Sequence, residues 1–323
     1  MKNVTFLIAD GVLKPSGLFG AIEVFEKANQ FYEKQGKPPF YNIQLAGRDL
    51  RQKLLNGSFQ LNIMPLDAIG KTDLILFPSF DHQHDFGIQT SGEMLDWVTQ
   101  QYHQGTELAS LCTGTFLLAA TGLLKGMPCA THWQAADYFR ELFPGLDLQT
   151  SKVITEHQGL YTAGGGNSSL NLVLYLVEKY SGRETALYCS KVLQIDIDRT
   201  SQSPFILFEG LKDHKDPAIR NVQDYIEQHV SERLTVEQLA THCFMDRINF
   251  SRRFKKATQL SPADYIQRIK VEAAKRSFES TGKQINEVMY DVGYGDIKAF
   301  RQTFKKIVGM TPGDYRSKFN KAV

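Results

Sequence analysis

Two stretches near the carboxyl end offer the same chemistry twice. In Arg247–Thr258, a helical period of about 100° per residue puts Ile248, Asn249, Arg252, Lys255 and Lys256 on one side. In Ile297–Val308, the same period gathers Lys298, Arg301, Gln302, Lys305 and Lys306. Phe250, Phe254 and Ala257, and in the second stretch Phe300, Phe304 and Ile307, form the opposite, apolar face. Arg and Gln side chains pair with purine edges in the major groove, and Lys suits phosphate. One such helix is compatible with the ordinary solvated face of a helical bundle. Two copies with the same caps and the same cationic face point to duplex DNA.

A third place for chemistry lies upstream. In Glu-Leu-Ala-Ser-Leu-Cys112-Thr-Gly-Thr-Phe, a short apolar run leads straight into a cysteine and then a helical pattern. A strand–Cys–helix turn exposes the side chain at a sheet edge, where the helix N-terminus favours a thiolate. Ala130-Thr-His132-Trp133 brings a histidine toward the same region, and the glycines of Gly164-Gly165-Gly166 permit close backbone approach. Three readings follow: a ligand-sensing pocket, a cysteine-dependent hydrolase, isomerase or amidase, and a thiol oxidised reversibly as a redox sensor. An inert Cys112 left over from the fold is compatible with the first. His82-x-His84, between Asp81 and Asp85, is a weak metal signal without further ligands at zinc spacing, and no metal or cofactor is expected. The three glycines are no phosphate loop, because no Lys-Ser/Thr follows.

The elements that position these groups repeat at a fixed interval. Phe250 falls on Phe300, Phe254 on Phe304, Lys255-Lys256 on Lys305-Lys306, Ser261-Pro262 on Thr311-Pro312 and Tyr265 on Tyr315. Such a period signals a duplicated supersecondary unit. Each copy reads as helix, turn, helix, stop. Thr235 caps Val236–Cys243, Phe244-Met245 turns the chain, and Asp246 caps Arg247–Thr258. Ile285–Val292 is followed by Gly293 as the turn, and Asp296 caps Ile297–Val308, which Gly309 ends. Ser261-Pro262 and Thr311-Pro312 each open a further helix.

Before these repeats, apolar strands alternate with helices. Val4–Ala9, Tyr41–Gly47, Asp73–Pro78 and Glu107–Leu111 read as strands, with a hairpin or edge strand within Ser58–Ile69. Leu18–Gln35, Gly92–His103, Thr113–Leu124 and Ser168–Tyr180 read as helices. The alternation predicts a parallel sheet covered on both faces, with ligands at the carboxyl ends of its strands.

The whole chain sets bounds. Its 323 residues suffice for two or three domains. No run of eighteen apolar residues and no signal peptide is seen, so a cytoplasmic protein is expected, with no membrane partner. The four cysteines lack framework or zinc spacing and are expected as reduced thiols. The net charge of +2 conceals a split. From Pro217 onward there are 19 Lys+Arg against 12 Asp+Glu, net +7; the remainder has 18 against 23, net −5. A basic tail on an acidic body fits a nucleic-acid-binding module joined to something that avoids nucleic acid.

Val288, Val292, Gly293, Tyr294, Phe300, Phe304, Lys305, Gly309, Thr311, Pro312, Tyr315 and Arg316 stand in an order and spacing that resembles the AraC/XylS family of transcription regulators. Residues 1–195 resemble the PfpI/ThiJ branch of the class I glutamine amidotransferase-like fold, in Cys112-Thr-Gly-x-Phe-Leu-Leu-Ala and Thr131-His132-Trp133. The resemblance implies an α/β doubly wound parallel-sheet sensor domain, 1–198, a linker, 199–216, and an all-α domain with two helix-turn-helix units, 217–323. Pro262–Glu279 would join those units, so that the recognition helices enter major-groove segments about 34 Å apart. Matching the motif places base-edge contacts at Ile248, Ser251 and Arg252, and at Ile297, Lys298, Arg301 and Gln302. Ala240 keeps the small residue of the first helix, whereas its counterpart in the second copy is Met289.

Enzymes of the PfpI/ThiJ superfamily place a histidine after the cysteine or a carboxylate after the first strand. Here Thr113 and Gly17 occupy those positions. The resemblance therefore implies a ligand sensor with no catalytic residues, its candidate contacts being Cys112, Thr113, His132, Trp133 and Gly165. It further implies a small-molecule effector, often a small nitrogen compound in such fusions, an activator working with RNA polymerase on promoter DNA, and a homodimer whose contacts fall in 172–177 and 186–195.

Overall fold

The computed structural model describes residues 1–9, 13–54, 57–80 and 92–320. They form two compact units, Met1–Gln202 and Ser203–Val323.

The first unit is built on a six-stranded sheet in the order β2-β1-β5-β6-β10-β9. The strands are β1 (Lys2–Ile8), β2 (Tyr41–Gly47), β5 (Leu74–Phe77), β6 (Glu107–Ser110), β9 (Ile154–His157) and β10 (Leu160–Ala163). The central pairings are parallel, but β9 and β10 are antiparallel, so the sheet is mixed rather than all parallel. Gln158 and Gly159, at φ 50° and 77°, make the tight turn that allows this pairing. A separate antiparallel hairpin joins β3 (Arg51–Leu54) to β4 (Phe59–Asn62), which begins earlier than the expected segment. β7 (Pro128–Cys129) pairs with β8 (Asp147–Leu148).

Side chains alternate across the sheet, and each face fills its own core. Val4, Phe6, Leu74, Leu76 and Ala109 pack under α1 (Pro15–Lys34), α5 (Ser169–Ser181) and α6 (Arg183–Leu193). Leu7, Ile75, Phe77 and Leu108 pack under α2 (Gly92–His103), α3 (Thr115–Ala120) and α4 (Ala136–Leu142). The helix expected over Thr113–Leu124 is shorter, because a 3-10 turn over Cys112–Gly114 precedes α3.

The second unit is helical: α7 (Pro217–Gln228), α8 (Val236–His242), α9 (Arg247–Thr258), α10 (Pro262–Ser280), α11 (Ile285–Asp291), α12 (Ile297–Val308) and α13 (Pro312–Phe319). It has two cores. One gathers Ile219, Val222, Leu239, Phe250, Phe254, Tyr265, Ile266 and Ile269. The other gathers Val271, Ala274, Phe278, Val288, Met289, Phe300, Phe304 and Tyr315. The helix α10 contributes to both, its first half to one and its second half to the other.

Residues 199–216, expected as a linker, are tied down on each side of the division. Gln202 is buried in the first unit. The carbonyl of Ile206 accepts from Lys275 at 2.6 Å, and that of Gly210 accepts from Gln223 and from the Tyr265 hydroxyl. The segment 172–177, expected to carry dimer contacts, is mostly core: Leu172, Val173, Leu174, Leu176 and Val177 are buried, and Tyr175 is exposed.

Candidate nucleic-acid interface and sensor pocket

Each recognition helix is set by its caps. The Asp246 carboxylate accepts from the amides of Ile248 and Asn249 at 3.0 and 2.9 Å, and Asp296 accepts from Lys298 and Ala299 at 2.6 and 3.0 Å. A carboxylate there meets amides that the helix leaves unbonded and suits the positive end of its dipole. Both helices end on a left-handed residue, Gln259 (φ 59°) and Gly309 (φ 82°). Thr235 and Gln238 form a capping box at the start of α8. Thr311 and Asp314 repeat at α13 the bond that Ser261 makes with Asp264 at α10.

The inner faces are aromatic. Phe250 and Phe254 lie 5.6 Å apart, and Phe254 meets Tyr265 edge-on at 5.2 Å. Phe300, Phe304 and Tyr315 repeat this at 5.9 and 5.6 Å. The deepest fourth positions are Thr258 and Val308; Ala257 and Ile307, expected in the stripe, are half-buried.

The outer faces hold the expected groups. Asn249, Arg252, Lys255 and Lys256 are exposed, and so are Lys298, Arg301, Gln302, Lys305 and Lys306. Ile248 is 81% exposed, an apolar side chain held out in water. Two predicted base contacts are placed differently. Ser251 is half-buried, with its hydroxyl donating to the Arg247 carbonyl at 2.8 Å, and Ile297 is half-buried against the second core. One cation on α9 is committed elsewhere. Arg253 grips Asp216 through Nε at 2.5 Å and through an Nη at 2.9 Å, which ties α9 to the cap of α7. The turn residue Phe244 is 99% exposed at φ 55°, where the second copy has Gly293 at φ 72°.

In the first unit, Cys112 sits at the end of β6 with φ 57°, the strained turn of an elbow. Gly114 makes the turn possible: a Cβ there would lie 2.2 Å from the Phe77 carbonyl oxygen. The Thr115 and Thr131 hydroxyls both donate to the Cys112 carbonyl, at 3.1 and 2.9 Å, so the 130–132 segment is fastened to the elbow.

The sulfur is buried, at 6% exposure. Burial pushes the thiol pKa up, and this outweighs the amides of Gly166 and Thr113 and the charge of Lys14, which favour the thiolate. Burial thus opposes the thiolate that the strand–Cys–helix pattern favours. The amide facing sulfur from the glycine loop belongs to Gly166, one residue beyond the candidate Gly165.

The other candidates divide. The Thr113 hydroxyl donates to the Phe80 carbonyl at 2.7 Å and accepts from its amide at 2.9 Å, with the residue fully buried. It fixes the chain after β5 and lies within hydrogen-bonding reach of the Cys112 sulfur. His132 Nδ1 accepts from the Gln134 amide at 3.1 Å, and its ring lies so close to Gly165 that a Cβ there would be 1.8 Å away. Trp133 is half-buried, 5.6 Å from the His132 ring. Gly17, at the acid position of the superfamily, faces Ser79: a Cβ there would lie 2.5 Å from the Ser79 hydroxyl oxygen. A side chain at that point would have to displace the Ser79 hydroxyl.

Sequence reasoning missed Gln202. Its amide donates to the carbonyls of Thr131 and Lys152, at 2.9 and 3.1 Å, and accepts from Gly165 at 3.2 Å. Only its distance in sequence, 37 residues from Gly165, hid it. A cleft of about 610 Å³ opens elsewhere in this unit, lined by residues including Lys152, Tyr175, Arg183, Arg199 and Thr200, and none of the five candidates lines it. Asp81, His82, His84 and Asp85 lie outside the described residues. Among the described residues, no three His, Cys, Asp or Glu side chains are grouped to hold a metal, and no helix is long and apolar enough to cross a membrane.

Residues 239–318 match the family described as a helix-turn-helix domain, and residues 83–179 match the DJ-1/PfpI family. The chain carries a DJ-1/PfpI-type domain followed by an AraC-type helix-turn-helix domain. It is similar along its length to the HTH-type transcriptional regulator GbdR of Pseudomonas aeruginosa, 25% identical over 319 residues, which is 98% of this chain and 84% of that protein. The HTH-type transcriptional regulator GlxA of Rhizobium meliloti is 23% identical over 246 residues, 72% of this chain and 75% of that protein. Among solved structures, an AraC family transcriptional regulator from Pseudomonas putida aligns with TM-score 0.51 at 17% identity, covering 60% of this chain and all of that one. That likeness concerns the fold.

Proposed function

We propose that this chain is a sequence-specific DNA-binding transcription regulator whose DJ-1/PfpI-type domain senses a small molecule. One observation carries the DNA reading: α9 and α12 are capped alike, buried alike, and leave the same row of cations and amides in solvent. An ordinary bundle has no reason to hold Ile248 out in water on both sides of Asn249 and Arg252. The similarity to GbdR along nearly the whole chain, and to GlxA over 72% of it, supports the same reading, both being named transcriptional regulators. Arg252, Arg301 and Gln302 would read base edges, and Lys255, Lys256, Lys305 and Lys306 would hold phosphates.

For the first unit the geometry favours a sensor over an enzyme. The Cys112 thiol is buried with its pKa raised, the residue after it is Thr113, whose hydroxyl bonds the Phe80 backbone, and Gly17 brings no acid. A nucleophile needs a base within reach, and neither Thr113 nor Gly17 supplies one, which leaves His132 as the one candidate base of the sequence reading. Cys112, His132, Trp133 and Gly165 are proposed to surround the effector. An effector acts by preferring one state of the protein over another. Control of promoters as an activator, through RNA polymerase, in the cytoplasm and as a homodimer completes the proposal.

The test is a duplex selected from a random pool by the full chain. Arg252→Ala is expected to lose about 1–3 kcal/mol of discrimination at one base position. Lys256→Ala is expected to weaken every sequence alike. Equal effects of both variants on all sequences would reject the assigned reading face. Selection of no duplex at all would reject DNA reading.

A further inference from the structure

The two helix-turn-helix units share one helix, and at the middle of that helix sits a buried cation. Lys270 is 6% exposed on α10, between Ile269, which packs on the first core, and Val271, which packs on the second. Its ammonium has three protons, and each meets a backbone carbonyl: Val230 at 2.7 Å, Glu232 at 2.9 Å and Val292 at 2.7 Å. The first two lie in the loop between α7 and α8, on the side of the first helix-turn-helix. The third is in the turn between α11 and α12, which aims the second recognition helix.

Beside it the two units touch. A Cβ on Gly293 would lie 2.5 Å from the Ser231 carbonyl oxygen and 2.6 Å from Lys270 Nζ. Only a glycine lets the α11–α12 turn come this close to the α7–α8 loop. The Tyr294 ring lies 5.9 Å from the ammonium. Burial pulls the pKa of Lys270 down to about 8, which leaves it charged at neutral pH.

We propose that Lys270 is the positioning residue that fixes the separation and phase of the two recognition helices, by holding a loop of each unit on one nitrogen. Two carbonyls bonded to the same nitrogen lie within about 6 Å of each other. A carboxylate partner would satisfy the ammonium from a single place; three carbonyls from two units satisfy it only when those units are in register. Phase matters because half-sites on one side of a duplex repeat once per helical turn. An apolar side chain of the same length would leave three carbonyls, that of Val292 buried, without this donor. The clamp concerns the second unit alone; its consequence for spacing rests on the DNA reading above.

The test separates the two. In the full chain with Cys243→Ser, spin labels at positions 256 and 306 report the distance between α9 and α12 without DNA. A narrow distribution is expected in the parent and in Lys270→Arg, which still donates; Lys270→Met is expected to broaden it at least twofold at unchanged helix content. An unchanged distribution in Lys270→Met overturns the proposal. Should Lys270→Met not fold, nitrogen-15 spectra of the unaltered chain decide. One lysine ammonium signal protected from exchange, and lost in Lys270→Arg, is expected; no protected signal overturns the clamp. On a selected duplex, one base pair inserted between half-sites should cost the parent at least tenfold in affinity and Lys270→Met less than threefold. Equal losses overturn the spacing role, whereas failure to select any duplex sinks only the DNA reading.

Discussion

At the scale of single residues, one exposed ring is held by backbone geometry that side chains rarely adopt. Phe244 stands at φ 55° with its ring in water, where the second copy has Gly293. Nothing in the fold compensates the strain, so Phe244→Gly should stabilise the second unit by about 0.5–1 kcal/mol. Urea unfolding followed by circular dichroism, or amide exchange in α8 and α9, checks this. Gly165 faces the opposite constraint. Alanine there would drive a Cβ into the His132 ring, and Gly165→Ala should cost the first unit about 1–3 kcal/mol. Trp97 and Trp133 both lie in that unit, so tryptophan fluorescence reads its unfolding alone.

Elements are joined here by caps, and Asp216 serves two of them. It accepts from the Ile219 amide at the start of α7 and receives Arg253 from α9. The Arg253 guanidinium, more than the amides, holds its carboxyl below the ordinary value of 3.8. A carboxyl lowered in the fold stabilises above its unfolded pKa and loses that contribution as the pH falls through its folded value. The difference in unfolding free energy between the parent and Asp216→Asn should therefore be constant above about pH 5 and shrink as the pH drops below 4. Acid titration of amide exchange in α7 measures it. The same elements show what was legible in the sequence. Local signals gave Arg247–Thr258, Ile297–Val308, Tyr41–Gly47 and Gly92–His103 to the residue, since caps and periodicity are written in adjacent positions. The antiparallel β9, the early β3–β4 hairpin, Gln202 and Lys270 were not legible. The two hairpins pair strands of only four residues, too short to show a period; Gln202 and Lys270 depend on partners more than twenty residues away, and a lysine in a helix reads as a solvated charge until its three carbonyls are known.

For the whole molecule, the division of charge matches the division of structure: the basic excess falls in the unit that bears α9 and α12, and the acidic excess in the unit around Cys112. Within the basic unit, each recognition helix has twelve residues, an aspartate in front, two phenylalanines four apart inside and a Lys-Lys pair near its end. The exposed positions differ, Ile248 against Lys298, Asn249 against Ala299 and Arg252 against Gln302; so do Thr258 against Val308 and Ala257 against Ile307 on the inner side, while the two phenylalanines that anchor each rod do not. These two rods are thus interchangeable mounts for a short chemical alphabet. Ile248→Lys, Ser251→Arg and Arg252→Gln together would write the outward letters of α12 onto α9, leaving Phe250 and Phe254 in place. A pool selection with that triple variant should return a direct repeat, the second half-site copied into the place of the first.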